Sequence, residues 1–169
     1  MTCGPDIARV LYINHSSGIG GAETNLLNIL RCAYACGIEA VAVLLPGPGP
    51  LVERIHAQGV RTAFVSYYGL RITSPWRFCQ TLGQLCGWIQ RTKAGVIHLN
   101  HEYLIEYAYW AGWLTHTPVV CHVRNLAPAS FMQRNRHYYA GTVRLIAISK
   151  IVEAHLLQHG IPAGKISLI

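Results

Sequence analysis

At 169 residues the chain is long enough to bury the core of one domain and short for two. Fourteen Lys and Arg against seven acids give a net charge of +7, which favours phosphates, acidic sugars or anionic lipid heads; the basic residues are scattered and form no nucleic-acid-binding motif, so nucleic acid is not an expected partner. Hydrophobic residues reach 51% and charged residues only 12%, yet no apolar run is long enough to span a membrane and Met1 to Asp6 lacks a signal-peptide core, so a cytoplasmic domain is expected.

The chain opens on an apolar run, Val10 to Ile13, that suits a buried parallel strand. A glycine-rich stretch from Ser16 to Gly21 ends it. Leu26, Leu27, Leu30, Ala33 and Tyr34 then recur at helical spacing, so a helix opens at Ala22 with Glu23 in its first turn. Gly18, Gly20 and Gly21 leave room for a ligand beside the backbone, and amides at a helix start carry partial positive charge, so phosphate is the expected guest. The same loop also reads as a plain tight turn that binds nothing. Counted from Gly18, a dinucleotide fingerprint would need a glycine where Glu23 stands, and no Gly-Lys-Ser/Thr follows for a Walker loop.

Ile38 to Leu45 is a second strand, stopped by Pro46-Gly47-Pro48-Gly49-Pro50. Leu51 to Ala57 gives a short helix, Val60 to Ser66 a third strand, and Tyr67 to Thr73 a loop. Ser74-Pro75 reads as a helix start, and the helix from Trp76 to about Lys93 is expected to pack on the sheet, with Gly83 and Gly87 allowing close approach. Its aromatic and basic residues also suit a membrane surface. Gly95 to Leu99 is a fourth strand that delivers Asn100, His101 and Glu102 to its carboxyl end. A helix through Tyr109, Trp110, Trp113 and Leu114 leads to the fifth strand, Pro118 to Val123, with Arg124 and Asn125 after it. Phe131 to Tyr139 is helical, Val143 to Ile148 is a sixth strand, Ser149 caps the helix Lys150 to His159, and Ile166 to Ile169 reads as a further strand. Strict alternation predicts a doubly wound, mostly parallel α/β sheet with helices on both faces, binding its ligand beyond the carboxyl ends of the strands where their order reverses.

Six cysteines contain no CxxC pair, so free thiols are expected. Of nine histidines, His15, His101 and His122 stand at or after strand ends, whereas His98 lies inside the fourth strand as a core residue. The spacing of His98, His101 and Glu102 lacks the helical geometry of a zinc motif, and no metal residues are assigned. Asp6 is the only aspartate, so a DxD motif for a metal-held diphosphate is absent from this chain.

GGAE at the start of the first helix, HLNH at the end of strand four, PVVCHV in strand five and LIAISKIVEAHLLQHGIPAGKISLI at the end together resemble the group 1 glycosyltransferases, family 4. The resemblance implies one Rossmann-like half of a GT-B fold over residues 1–169, the N-terminal, acceptor-side domain, with a C-terminal donor-binding domain absent. It further implies transfer of a sugar from a nucleotide-sugar to a saccharide or lipid-linked acceptor, with retention, without metal or cofactor, in cell-envelope polysaccharide synthesis, and with peripheral contact at the inner face of the membrane. By that match Gly20 and Gly21 approach the donor diphosphate, His122 is the catalytic contact near the transferred sugar, and Asn100 and His101 line the acceptor side. Glu23 either positions the loop or an acceptor hydroxyl, or only complements the helix dipole. Arg124 either meets an anionic acceptor or pairs with a surface acid; many members carry an acid or threonine directly after the strand-five histidine, where this chain has Val123. Replacing Gly21 is expected both to block phosphate and to strain the turn. The other readings are a stand-alone Rossmann-like binding or scaffold domain and a nicotinamide enzyme, the latter opposed by Leu44-Leu45-Pro46 where a ribose-binding acid would stand.

Overall fold

A computed structural model describes residues 8–67 and 75–169. The strands are β1 (Ala8–Ile13), β2 (Ile38–Leu45), β3 (Thr62–Phe64), β4 (Val96–Leu99), β5 (Val119–Val123), β6 (Arg144–Ala147) and β7 (Ile166–Leu168). The helices are α1 (Gly21–Ala33), α2 (Pro50–His56), α3 (Pro75–Thr92), α4 (Ile105–Thr115), α5 (Ala129–Gly141) and α6 (Lys150–Gln158). All strands pair in parallel in the order β3-β2-β1-β4-β5-β6-β7, so the order reverses between β1 and β4. The doubly wound sheet expected from the alternation is present.

Right-handed crossovers from a reversing order send α1 and α2 to one face and α3 to α6 to the other. The packing agrees: Leu26, Leu27, Leu30, Leu51 and Ile55 meet Val10, Tyr12, Val43 and Leu45 on one side, while Phe78, Leu85, Ile105, Ala108, Met132, Tyr139, Val152 and Leu156 meet Leu11, Ile13, Ile97, Cys121 and Leu145 on the other. The two-residue period of each strand divides these sets. Over β4 to β6 the first face carries no helix among the described residues. Val120 and Ile146 are half-buried there, beside His98 and His122, at a cavity of about 420 Å³.

α3 buries Phe78, Thr81, Leu85, Ile89 and Thr92 against the sheet and α4, so its packing role is the one observed. Trp76 stays 76% exposed. The close-packing role expected of Gly83 is not seen, because it is exposed and a Cβ there would meet nothing; Gly87 faces the Arg91 side chain. Close approach is made instead by Gly112, against Val119 and the Thr117 carbonyl, and by Gly141, against the Tyr109 ring. Ser149 caps α6 as expected, its Oγ accepting the Val152 amide at 3.3 Å. The loop before α3 and its expected Ser74 cap lie outside the described residues, apart from Tyr67. Cys32, Cys36 and Cys79 are exposed free thiols, and Cys121 is a buried one. No described helix is long and apolar enough to cross a membrane.

Candidate functional site at the carboxyl ends of β1, β4 and β5

The glycine loop is anchored from below. Ser17 Oγ donates to the Gly47 carbonyl at 2.5 Å, the Ser17 carbonyl accepts the Leu51 amide at 3.1 Å, and Gly49 packs so tightly on Ser17 that a Cβ would collide with its backbone. The proline-glycine loop after β2 thus buttresses the loop after β1. Gly20 is the N-cap of α1, extended and without a side-chain cap, which leaves the first amides of the helix for an outside acceptor. At Gly21 a Cβ would meet no protein atom within 4 Å. Its bareness serves neither packing nor an unusual backbone angle, since it opens α1 and neither it nor Gly18 or Gly20 has positive φ. The strain expected on replacing Gly21 is therefore not present.

A chain of polar contacts runs from this loop across the switch point. Asn14 and Asn100, both fully buried, follow β1 and β4 and lie side by side because those strands pair. Asn14 Nδ2 donates to Glu23 Oε1 at 3.2 Å and to the Ser16 carbonyl at 2.7 Å, while Asn100 Nδ2 donates to Asn14 Oδ1 at 2.7 Å and to the Ala22 carbonyl at 3.2 Å. Arg124 Nη2 donates to Asn100 Oδ1 at 2.7 Å and Asn25 Oδ1 at 3.1 Å, and its Nε donates to the Asn100 carbonyl at 2.7 Å. No ion pair joins Arg124 to an acid among the described residues. Its guanidinium is held in place by neutral acceptors, with Glu23 and Glu102 near enough to offset part of the desolvation that lowers its pKa.

His122 Nδ1 lies 3.3 Å from Arg124 Nη2 and 3.2 Å from His98 Nε2. The two Nη2 hydrogens are taken by Asn100 Oδ1 and Asn25 Oδ1, so the ring's own hydrogen bond is the one to His98, with the shared proton on one of the two facing nitrogens, and Arg124 lies beside it. His122 is 4% exposed and borders the cavity on the uncovered sheet face with Tyr12, Val120 and Ile146. The sequence placed it in the crevice; the structure places its ring one strand step before Arg124, and Arg124 is the group that reaches the crevice.

Behind the crevice Glu102 is fully buried, its carboxylate accepting the Arg124 amide at 3.1 Å and the Asn125 amide at 3.2 Å, which fixes the loop after β5. Asn125 Nδ2 lies 2.8 Å from His101 Nε2; with the amide donating, the His101 proton sits on Nδ1, 3.2 Å from Glu102 Oε2 but off hydrogen-bonding geometry. The crevice, about 560 Å³, is lined by Gly21, Ala22, Asn25, His101, Arg124 and Asn125, with Ile148 and Ile169 as an apolar rim. Of the residues singled out from sequence, Gly21, His101 and Arg124 line it. Asn100 and Glu23 are buried beneath it, and Gly20 is adjacent to the Glu23 carboxylate. Asn14, Asn25, Asn125 and the structural role of Glu102 escaped the sequence reading. The asparagine directly after each of two apolar strand runs, INH and LNH, was the available signal for the buried pair.

Burial holds the His98 imidazole down at about 3, with His122 and Arg124 adding to the effect, and burial holds His101 and His122 at about 4. Each ring binds fewer protons folded than unfolded between its folded value and about 6.5, so stability rises with pH there by up to about 1.4 kcal/mol per ring per pH unit. Burial raises the Glu102 carboxyl, which works the other way: its ionisation removes stability as pH rises just above the ordinary carboxyl value. The three rings outweigh it. Urea unfolding is expected to show full stability above about pH 6.5 and progressive loss towards pH 4; a flat profile would mean the rings are charged in the fold.

The Glycosyltransferase Family 4 model matches residues 19–169. No curated protein matches. Among solved structures, Anabaena Alr3699/HepE in complex with UDP and glucose superposes with a TM-score of 0.79 at 15% identity over 96% of this chain and 44% of that one. The glycosyltransferase from Rickettsia africae ESF-5 gives 0.80 at 18% identity over 96% and 42%, and the apo lipopolysaccharide outer core galactosyltransferase WaaB gives 0.68 at 15% over 94% and 44%. The chain thus spans less than half the length of these relatives, and at such identities the likeness establishes the fold, one Rossmann-like half of a GT-B architecture.

Proposed function

The chain belongs to glycosyltransferase family 4, and from that premise we propose that it is the N-terminal, acceptor-side half of an enzyme that moves a sugar from a nucleotide-sugar to a saccharide or lipid-linked acceptor. The observation that carries this reading is the Arg124 guanidinium, fixed by Asn25 and Asn100 without a carboxylate partner, across one crevice from the uncapped start of α1 at Gly21. Both present positive charge to a diphosphate. When a second domain closes over the crevice with the nucleotide, the Gly21 amide and Arg124 meet the leaving diphosphate, and preorganised donors of this kind favour the charge that builds up as the glycosidic bond breaks. That role asks for no metal. In this reading His122 is a positioning residue that packs beside Arg124, while Glu23 and Asn100 hold the loop and the guanidinium. His101 and Asn125 face the acceptor.

A nucleotide-sugar donor is supported by the UDP and glucose bound to the Anabaena relative, and an envelope saccharide acceptor by the galactosyltransferase relative named for the lipopolysaccharide outer core. Retention of configuration and peripheral contact with the inner face of a membrane belong to the same proposal. Because the nucleotide contacts are assigned to the other domain, the purified 169-residue chain is expected to give only background transfer with a panel of radiolabelled nucleotide-sugars and saccharide or lipid acceptors. Robust turnover by this chain alone would overturn the half-enzyme reading.

A further inference from the structure

Beside the crevice, between the ends of β4 and the start of α5, four rings meet. His15 and His101 lie 4.4 Å apart between centroids, His101 and Tyr103 4.2 Å apart and only 33° from parallel, and Tyr103 and Phe131 6.4 Å apart edge to face. Tyr103 is nevertheless 53% exposed. His101 covers one face of the ring, His15 and Phe131 meet it edge to face, and the side chain still stays about half exposed. The backing rings are themselves fixed, His101 by Asn125 at 2.8 Å.

The polar groups around the ring are arranged for hydroxyls. Glu106 follows Tyr103 by three residues and so lies on its side of the helical turn. Its Oε1 is buried without a hydrogen-bond partner among the described residues. Arg134 lies over the Phe131 ring at 5.8 Å; burial raises the Glu106 carboxyl, and Arg134 offsets part of that rise. An aromatic face beside a carboxylate and a guanidinium suits a pyranose: the C–H groups on one side of a sugar ring are weakly positive and meet the negative π face, while the hydroxyls at its edge need acceptors and donors. An acyl chain would leave the carboxylate unsatisfied.

We propose that Tyr103 is the floor of a pyranose subsite on which a sugar ring of the acceptor stacks, with Glu106 and Arg134 taking its hydroxyls; as an acceptor subsite it rests on the transferase reading above. The acceptor end that enters the crevice is therefore carbohydrate, and any lipid lies beyond it.

The test is NMR on the 169-residue chain with ¹³C-labelled tyrosine and ¹⁵N-labelled backbone, titrated with methyl β-D-glucopyranoside, methyl β-D-galactopyranoside and methyl N-acetyl-β-D-glucosaminide, and with glycerol as the acyclic polyol. At least one pyranoside is expected to shift the Tyr103 ring saturably, with upfield movement of the sugar C–H signals. Tyr103→Leu should weaken that binding about tenfold, the scale of a lost aromatic contact, whereas Tyr103→Phe should retain it. No saturable shift with any pyranoside, an equal response to glycerol, or unchanged affinity in Tyr103→Leu overturns the proposal. Inorganic pyrophosphate in the same sample separates the two readings. A response at Gly21 without one at Tyr103 leaves the transferase standing and removes the subsite; a sugar response at Tyr103 without one at Gly21 keeps a sugar platform and removes its role as an acceptor site.

Discussion

Replacing Arg124 with alanine is expected to lower kcat/KM of the proposed two-domain enzyme by about two to three orders of magnitude, the effect of deleting one preorganised donor aimed at developing charge. The side chain makes its hydrogen bonds to Asn25 and Asn100 through Nε and Nη2, and among the described residues no hydrogen bond engages Nη1. Loss of the guanidinium also leaves Asn100 Oδ1 without a donor, at a cost in stability of about 1–3 kcal/mol. Arg124→Lys separates charge from geometry: one ammonium cannot reproduce the fork that bonds Asn100 twice, so rescue is expected to be slight. Steady-state kinetics and thermal melts on both variants decide it, and near-normal turnover by Arg124→Lys would reduce the role to bulk charge.

Gly21→Val is expected to lower activity by at least about a hundredfold while leaving the melting temperature close to that of the parent. The Cβ position is open on the protein side and the backbone is helical, where valine is no worse than glycine, but its methyl groups stand where a phosphate must approach the amides. Gly20→Ala provides the contrast. Its Cβ would come within 3.0 Å of Glu23 Oε2 and displace the carboxylate that accepts from Asn14, so that variant should disturb the loop itself. A Gly21→Val enzyme that melts normally and works within a few-fold of the parent would remove the helix start from the site.

The strand and helix order was legible in the sequence because apolar runs and punctuating Gly and Pro are local signals. β2 matches its expected span, Ile38 to Leu45, and the Ser149 cap was visible as a residue type. That the site lies beyond the carboxyl ends of the strands also followed from the alternation, whereas the position of the reversal, between β1 and β4, is seen in the pairing itself. What did not follow was depth. Whether His122 or Arg124 reaches the crevice depends on where β5 ends relative to its neighbours, and that is set by non-local pairing of Cys121 with Leu99 and Val123 with Ala147. The bareness of Gly21 was read correctly as room, but its conformation was misjudged because a glycine's composition does not reveal its φ. The Asn14–Asn100 pair and the double amide acceptor at Glu102 are tertiary hydrogen bonds, which leave no periodic trace.

The most direct measurement of the central claim is a ¹H–¹⁵N titration of the chain with inorganic pyrophosphate, the part common to sugar-nucleotide diphosphates. The account predicts saturable shifts concentrated at the Gly21 and Ala22 amides and at Arg124 Nε, weakened at least about tenfold in Arg124→Ala, since hydrogen bonds to charged groups are worth about 1.5–3 kcal/mol. Shifts that are absent there, or that persist unchanged in Arg124→Ala, would contradict it.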